Sequence, residues 1–194
     1  MAEKTLNDLN REDWNRLFPI ELVNHNPEWE RLFEKEKKRI LDHVDNSFLL
    51  RIEHFGSTAI PGIMSKPYID LIIEIPRESL FDQELITQFE KIGYSHFEVP
   101  EREGIDAYSS FGKGYRLDGI KEQIFHIHMC PANNYMWRQI AFRDYLKTNP
   151  ERAKAYEELK LKLISRYSND RGAYVNGKSG FVYETLQMIE REIA

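Results

Sequence analysis

The chain has 194 residues, of which 41% are hydrophobic, 30% charged and 12% aromatic, a composition that supports one globular domain and excludes a disordered chain. Its formal charge of −5 counts against a protein that coats extended nucleic acid, and its one cysteine, Cys130, excludes a disulfide framework and a four-cysteine zinc site. No apolar run approaches the ~20 residues that span a bilayer, and the polar N-terminus has no signal core, so a soluble, cytoplasmic protein without a membrane partner is expected.

Residues 1–19 read as an N-terminal arm, with a short helix capped by Asn10 and packed through Trp14 and Leu17. Residues 20–194 read as a single domain. Residues 20–23 suit a short strand. Asn26 then caps a helix that opens on Pro27. Trp29, Leu32, Phe33, Ile40, Leu41 and Val44 form its buried stripe, and the charge run at 34–39 is expected on a solvated face. Strands follow at 48–55 and 68–75, joined through the loop GSTAIPG at 56–62. The second strand is nearly continuous in apolar residues, interrupted by Asp70. A carboxylate there requires a partner, because burying it unpaired is costly.

A helix over 78–92 ends at Gly93, and 94–99 reads as a strand. A hairpin is expected within 100–119, where the aromatic residues serve either an interface or packing on the sheet. Residues 123–130 alternate as a strand. The last third is helical, over 134–146, 150–167 and 179–193. Helix, strands, helix, strands and three helices describe an α+β fold.

Chemistry concentrates in four places. Gly56-Ser57-Thr58 leaves a strand in a turn whose amides and hydroxyls can hold phosphate oxygens, with Lys66 adding positive charge. Asp70, on the next strand, can hold Mg²⁺, although a structural ion pair to Lys66 or Arg51 would also explain it. His126 and His128 share one face of a strand. They suit a shared metal or proton donation to a phosphate, or else a pair of hydrogen-bonded structural histidines. Arg138, Arg143, Lys147, Arg152, Lys154, Lys160 and Lys162 interleave with acids and read as a solvated face of i, i+4 pairs. Arg143 is set apart by its packing neighbours. It suits a phosphate or carboxylate ligand, or a bridge to Asp144, Glu184 or another acid. Lys178 follows an Asn-Gly turn and precedes a helix, a plausible anion position, with Ser179 as the helix cap. Cys130 reads as a buried small residue rather than a nucleophile.

HFGSTAIPGIMSKPYID (residues 54–70) resembles the signature of the GrpB family, roughly HxGSTxVPGLxxKPxID. FHIHMC, AFRDYLKTNPERAKAYEELKLKL and YVNGKSGFV continue the resemblance in order, over about residues 20–193. It implies a nucleotidyltransferase-like fold, a mixed β-sheet flanked by helices. Active members of that superfamily place a Gly-Ser turn before a strand bearing Asp-x-Asp/Glu, which with a third carboxylate holds divalent metal beside a nucleotide. Gly56-Ser57 and Asp70 match the turn and first carboxylate. Ile72 stands where the second belongs, and Glu74 lies ~13 Å from Asp70 along a strand, beyond the ~3.5–4 Å spacing of paired metals. Glu53, His126 and His128 are then the expected substitute ligands for one Mg²⁺ or Mn²⁺, with Zn²⁺ as an alternative. The implied activity is metal-assisted nucleotidyl or phosphoryl transfer on a nucleotide or phosphorylated small molecule. A binder of nucleotide or RNA with a degraded metal site, and a metal-dependent phosphoesterase, are the alternatives.

Overall fold

A computed structural model describes residues 5–101 and 106–193. Residues 102–105, part of the expected hairpin, lie outside the described residues. Five strands form one mixed sheet: β1 (Arg51–Phe55), β2 (Tyr68–Glu74), β3 (Ser95–Val99), β4 (Tyr108–Lys113) and β5 (Ile124–Cys130). Their order is β1-β2-β5-β4-β3, with β2 and β5 parallel and every other pair antiparallel. The helices are α1 (Arg11–Leu17), α2 (Glu28–His43), α3 (Gln83–Lys91), α4 (Arg138–Thr148), α5 (Pro150–Tyr167), α6 (Arg171–Asn176) and α7 (Ser179–Ile193). Among the described residues no helix is long and apolar enough to cross a membrane.

Alternation along β2 divides the molecule. Ile69, Leu71 and Ile73 face one side, where they join Trp29, Phe33 and Ile40 of α2 and Leu85, Ile86 and Phe89 of α3 in the main core. Asp70 and Ile72 face the other side, with His126 and His128 of β5. That side lies under the C-terminal helices. Ile140 of α4 packs on Phe55, Ile72 and Cys130, while Ile60, Ile63, Phe142, Leu146, Tyr156 and Leu186 close a second cluster.

Several local expectations need correction. Residues 20–23 form no strand: Val23 makes an isolated bridge to Ser65, and Ile20 is buried. β1 starts at Arg51, after a 3-10 turn over Asn46–Phe48. α3 starts at Gln83, because Asp82 caps it by accepting from the Leu85 amide at 2.9 Å. A short extra helix, α6, precedes the expected turn: it ends at Asn176, and Gly177, at φ −61°, turns the chain with Lys178. Ser179 is the first residue of α7 and not its cap. The aromatic residues near β4 pack inward. Phe111 is fully buried, and Tyr115 meets Trp14 and Phe18 edge-on.

The charge run of α2 is not wholly solvated either. Glu36 is 5% exposed. It accepts from Lys113 Nζ at 2.6 Å, the Tyr94 hydroxyl at 2.9 Å and Arg39 Nη1 at 3.1 Å, tying α2 to the sheet. Removing one member of such a network leaves the others desolvated and unpaired. Glu36→Ala is therefore expected to lower unfolding free energy by about 2–4 kcal/mol in urea titration. A loss under about 0.5 kcal/mol, the range of ordinary surface changes, would show that the network contributes nothing.

Candidate functional site

A cavity of about 700 Å³ lies between the sheet and the C-terminal helices. Its floor comes from strand register. Asp70 stands directly opposite His126, and Ile72 opposite His128, so alternation brings the three polar side chains to one face. One ligand atom each from Asp70, His126 and His128 lies within 4.8 Å of the others. Asp70 Oδ1 is 3.6 Å from His126 Nδ1. The other ring nitrogen of His126, Nε2, is 2.9 Å from Ser110 Oγ on β4, which fixes the ring orientation. His128 packs edge-on to Phe55, and among the described residues its buried Nδ1 has no hydrogen-bond partner. Burial, then the neighbouring His126, pushes its pKa down to about 3, so its ring is neutral. Burial alone would raise the Asp70 pKa. His126, whose Nδ1 lies 3.6 Å away, and then Lys66 outweigh this and hold it below the usual range.

Gly56 permits this approach. Its φ is +71°, and a Cβ there would stand 2.3 Å from Asp70 Oδ2. Ser57 opens a 3-10 turn over Ser57–Ala59 and lines the cavity beside it. Thr58 also lines the cavity, yet its hydroxyl is committed. It donates to the Tyr68 carbonyl at 2.9 Å and so accepts from His54 Nε2 at 3.1 Å. Its expected role as a ligand-binding hydroxyl thus becomes one of tying the loop to β2.

Arg143 lines the cavity with its donors largely spent. It donates to the His54 carbonyl at 2.6 Å, to Asp144 at 2.7 Å and to Glu53 at 3.1 Å. Glu53 also pairs with Arg51 at 3.2 Å. It belongs to this arginine network and stands outside the carboxylate–dihistidine set, contrary to its expected place as a ligand. Burial would raise its pKa, but Arg143 and Arg51 bring it below the usual range.

The basic wall is larger than expected. Lys66 and Lys178 are joined there by Lys160, which the helical basic set had placed in solvent. Lys160 is 1% exposed. Its Nζ donates to the Met64 carbonyl, while Glu157 accepts from the Met64 amide at 2.5 Å. Helical spacing carried the signal, since Ala153, Tyr156 and Lys160 lie on the buried stripe of α5. The rest of the basic set splits. Arg138 and Arg152 pair across to Glu190 and Glu184 of α7, while Lys147, Lys154 and Lys162 are exposed. Burial, then Lys178 and Arg171, pushes Lys66 down to about 7. Burial, then Lys178, does the same to Lys160. Burial also lowers Lys178. Tyr135, Val175 and Tyr183 are the exposed large side chains of the lining. Cys130 is buried, with its thiol pushed up to about 12 by that burial, as befits an inert core residue.

Three ligands with open positions is the count of catalytic single-metal centres, and two imidazoles favour Zn²⁺ or Mn²⁺ over Mg²⁺. The orphaned Nδ1 of His128 fits a site built for a cation. Among the described residues no second cluster of metal-ligating side chains adjoins these three, and Ile72 is fully buried among Phe55, Cys130 and Ile140.

Fold and cleft together define a class: an α+β protein with one mixed sheet whose ionisable side chains gather on the face under the C-terminal helices. The particular family is equally plain. The chain belongs to the GrpB family, whose model, described as GrpB protein, matches residues 19–188. The glutamate-rich protein GrpB of Alkalihalophilus pseudofirmus is 39% identical over 169 residues, 85% of this chain and 92% of that protein. The UPF0157 protein YqkA of Bacillus subtilis is 32% identical over 84% of this chain, which spans 45% of YqkA. A crystal structure of the conserved protein GrpB from Enterococcus faecalis superposes with a TM-score of 0.73 at 27% identity, covering 89% of this chain and 99% of that one.

Two outcomes follow from the wall and floor. Gly56→Ala is expected to cost about 1–3 kcal/mol of stability through its positive φ and to displace Asp70. Denaturant melts and Zn²⁺ titration check this, and wild-type metal affinity in the variant would refute the close approach. Lys160 titrates near 10.4 when unfolded and at about 7 in the fold. Between these values the unfolded chain holds the extra proton, so stability rises with pH. From pH 7.5 to 9, Lys160→Met should flatten that rise by about 1 kcal/mol per pH unit. Equal slopes in both proteins would mean that Lys160 stays charged in the fold.

Proposed function

We propose that the cleft binds a phosphorylated small molecule, a nucleotide in the first instance, and transfers a phosphoryl or nucleotidyl group from it. One divalent cation is held by Asp70, His126 and His128. A nucleotidyltransferase-like arrangement of the sheet is part of this proposal. The observation that carries it is the meeting, in one cavity, of a compact carboxylate–dihistidine set with three lysines. When bound, the cation supplies Lewis-acid polarisation of a phosphoryl oxygen.

The side chains supply the rest. Ser57 offers its hydroxyl and the amide that opens its turn to phosphoryl oxygens. Lys66 and Lys178 offset the charge that develops as an acceptor oxygen bonds to phosphorus and the bond to the leaving phosphate breaks. Ser110 holds the ring of His126 from behind. Tyr135 and Tyr183 offer flat apolar area at the mouth, suited to a planar ring. Ile72 favours a second reading, in which the same ligand is bound without chemistry.

A thermal-shift panel of nucleoside triphosphates with Mn²⁺, Zn²⁺, Mg²⁺ or EDTA tests both. At ~100 times Kd, a ligand adds about 2.7 kcal/mol. The transfer reading expects a cation-dependent shift, lost in Asp70→Ala, together with release of pyrophosphate or phosphate by the wild type. A shift that survives Asp70→Ala, without release, selects the binder. No shift with any nucleotide removes the nucleotide from both.

A further inference from the structure

Lys66, Lys160 and Lys178 come from three separate parts of the chain: the approach to β2, the middle of α5 and the residue before α7. All three line the cavity. Among the described residues none of them is ion-paired with a carboxylate. Each packs on a tyrosine, with Nζ 4.7 Å from the Tyr68 ring, 5.0 Å from Tyr156 and 4.7 Å from Tyr174. Lys178 stands close enough to repel both of the others. Folding thus gathers three lysine amines against aromatic walls, where burial and mutual repulsion oppose charging all of them at once. Such an arrangement is costly unless an anion enters.

The size of the deficit indicates which anion. A phosphate group carries about −1.5 to −2 charges near neutral pH. One such group balances two lysines and leaves the third. Two or three linked phosphoryl groups carry enough charge for all three lysines, in a cavity that Ser57 also lines. The cation site on the floor is single, since Ile72 and its apolar neighbours occupy the place of a second carboxylate. Positive charge for a phosphate chain therefore has to come from the wall.

We propose that Lys66, Lys160 and Lys178 form a metal-independent subsite for a chain of two or more linked phosphoryl groups. The proposal rests on the reading that the cleft takes a phosphorylated ligand, and not on the transfer chemistry.

Calorimetric titration with inorganic triphosphate, pyrophosphate and orthophosphate, all in EDTA, tests it. Triphosphate and pyrophosphate are expected to bind, and orthophosphate at least about tenfold more weakly. Lys178→Met and Lys66→Met, each checked for folding by circular dichroism, are expected to weaken triphosphate by at least about tenfold. Both are partly exposed, so either serves if the other misfolds. Lys154→Met, on the exposed face of α5, is expected to leave binding in place. Absence of binding in EDTA, equal affinity for orthophosphate, or an equal loss in Lys154→Met would each overturn the subsite. Zn²⁺ or Mn²⁺ titration without phosphate reports the floor separately. Metal binding absent while triphosphate still binds removes the transfer reading and keeps the subsite. Metal binding present while triphosphate fails in EDTA removes the subsite alone.

Discussion

A carboxylate in the middle of an apolar strand is the constraint on which this structure turns. Asp70 sits between Ile69 and Leu71, both fully buried in the main core. The strand tolerates it because alternation sends its side chain to the opposite face. There it needs room and a compensating partner. Room comes from Gly56, whose missing Cβ leaves space that Asp70 Oδ2 occupies. The partner comes from the parallel register of β2 and β5, which sets His126 directly across. Phe55, the last residue of β1, pairs with Asp70, so the chain leaves β1 and turns at the carboxylate. The cleft begins where these three requirements meet.

The loop that makes the cleft wall is held by polar clamps as well as apolar packing. His54, Thr58 and the Tyr68 carbonyl join it to the sheet. Glu157 and Lys160 grip both backbone groups of Met64 from α5. Arg143 of α4 reaches the His54 carbonyl. Buried donors and acceptors of this kind have defined geometry, and leaving one unmet is costly. The clamps place Ser57 and Lys66 relative to the floor. They also explain why the motif spanning residues 54–70 is long. Part of it faces the cavity, and part, His54 and Thr58, builds the support.

Much of the architecture was legible because it rests on local pattern. The apolar run of β2, the alternation of β5 and the helical stretches over 150–167 and 179–193 each declare themselves within a window of residues. Asp70 was visible as a charge out of place, and the two histidines as a pair sharing a strand face. Long-range burial was not legible. Glu36 lies in a run of charges, and its partners Tyr94 and Lys113 are 58 and 77 residues away. Lys160 looks like any lysine on a charged helix until Met64, 96 residues earlier, is folded against it. Arg143 and Glu53 were each picked out as unusual, but that they satisfy one another depends on α4 crossing β1. Composition marks a residue as notable, while its partner decides what it does.

Ile72 is where the local and the global argument converge. A carboxylate at that position would enter a wall made by Phe55, Cys130 and Ile140, with the neutral His128 across from it. It would be desolvated without a cation of its own to justify it. An apolar residue there is consistent with the rest of the cleft on the proposed reading, in which one carboxylate and two imidazoles would leave a single divalent ion with positive charge to spare. Three lysines stand above it. A second divalent ion would overload the cleft with positive charge, whereas one ion and a lysine wall complement a ligand of several negative charges. On the proposed reading, the apolar residue at position 72 and the three lysines are two sides of one electrostatic balance.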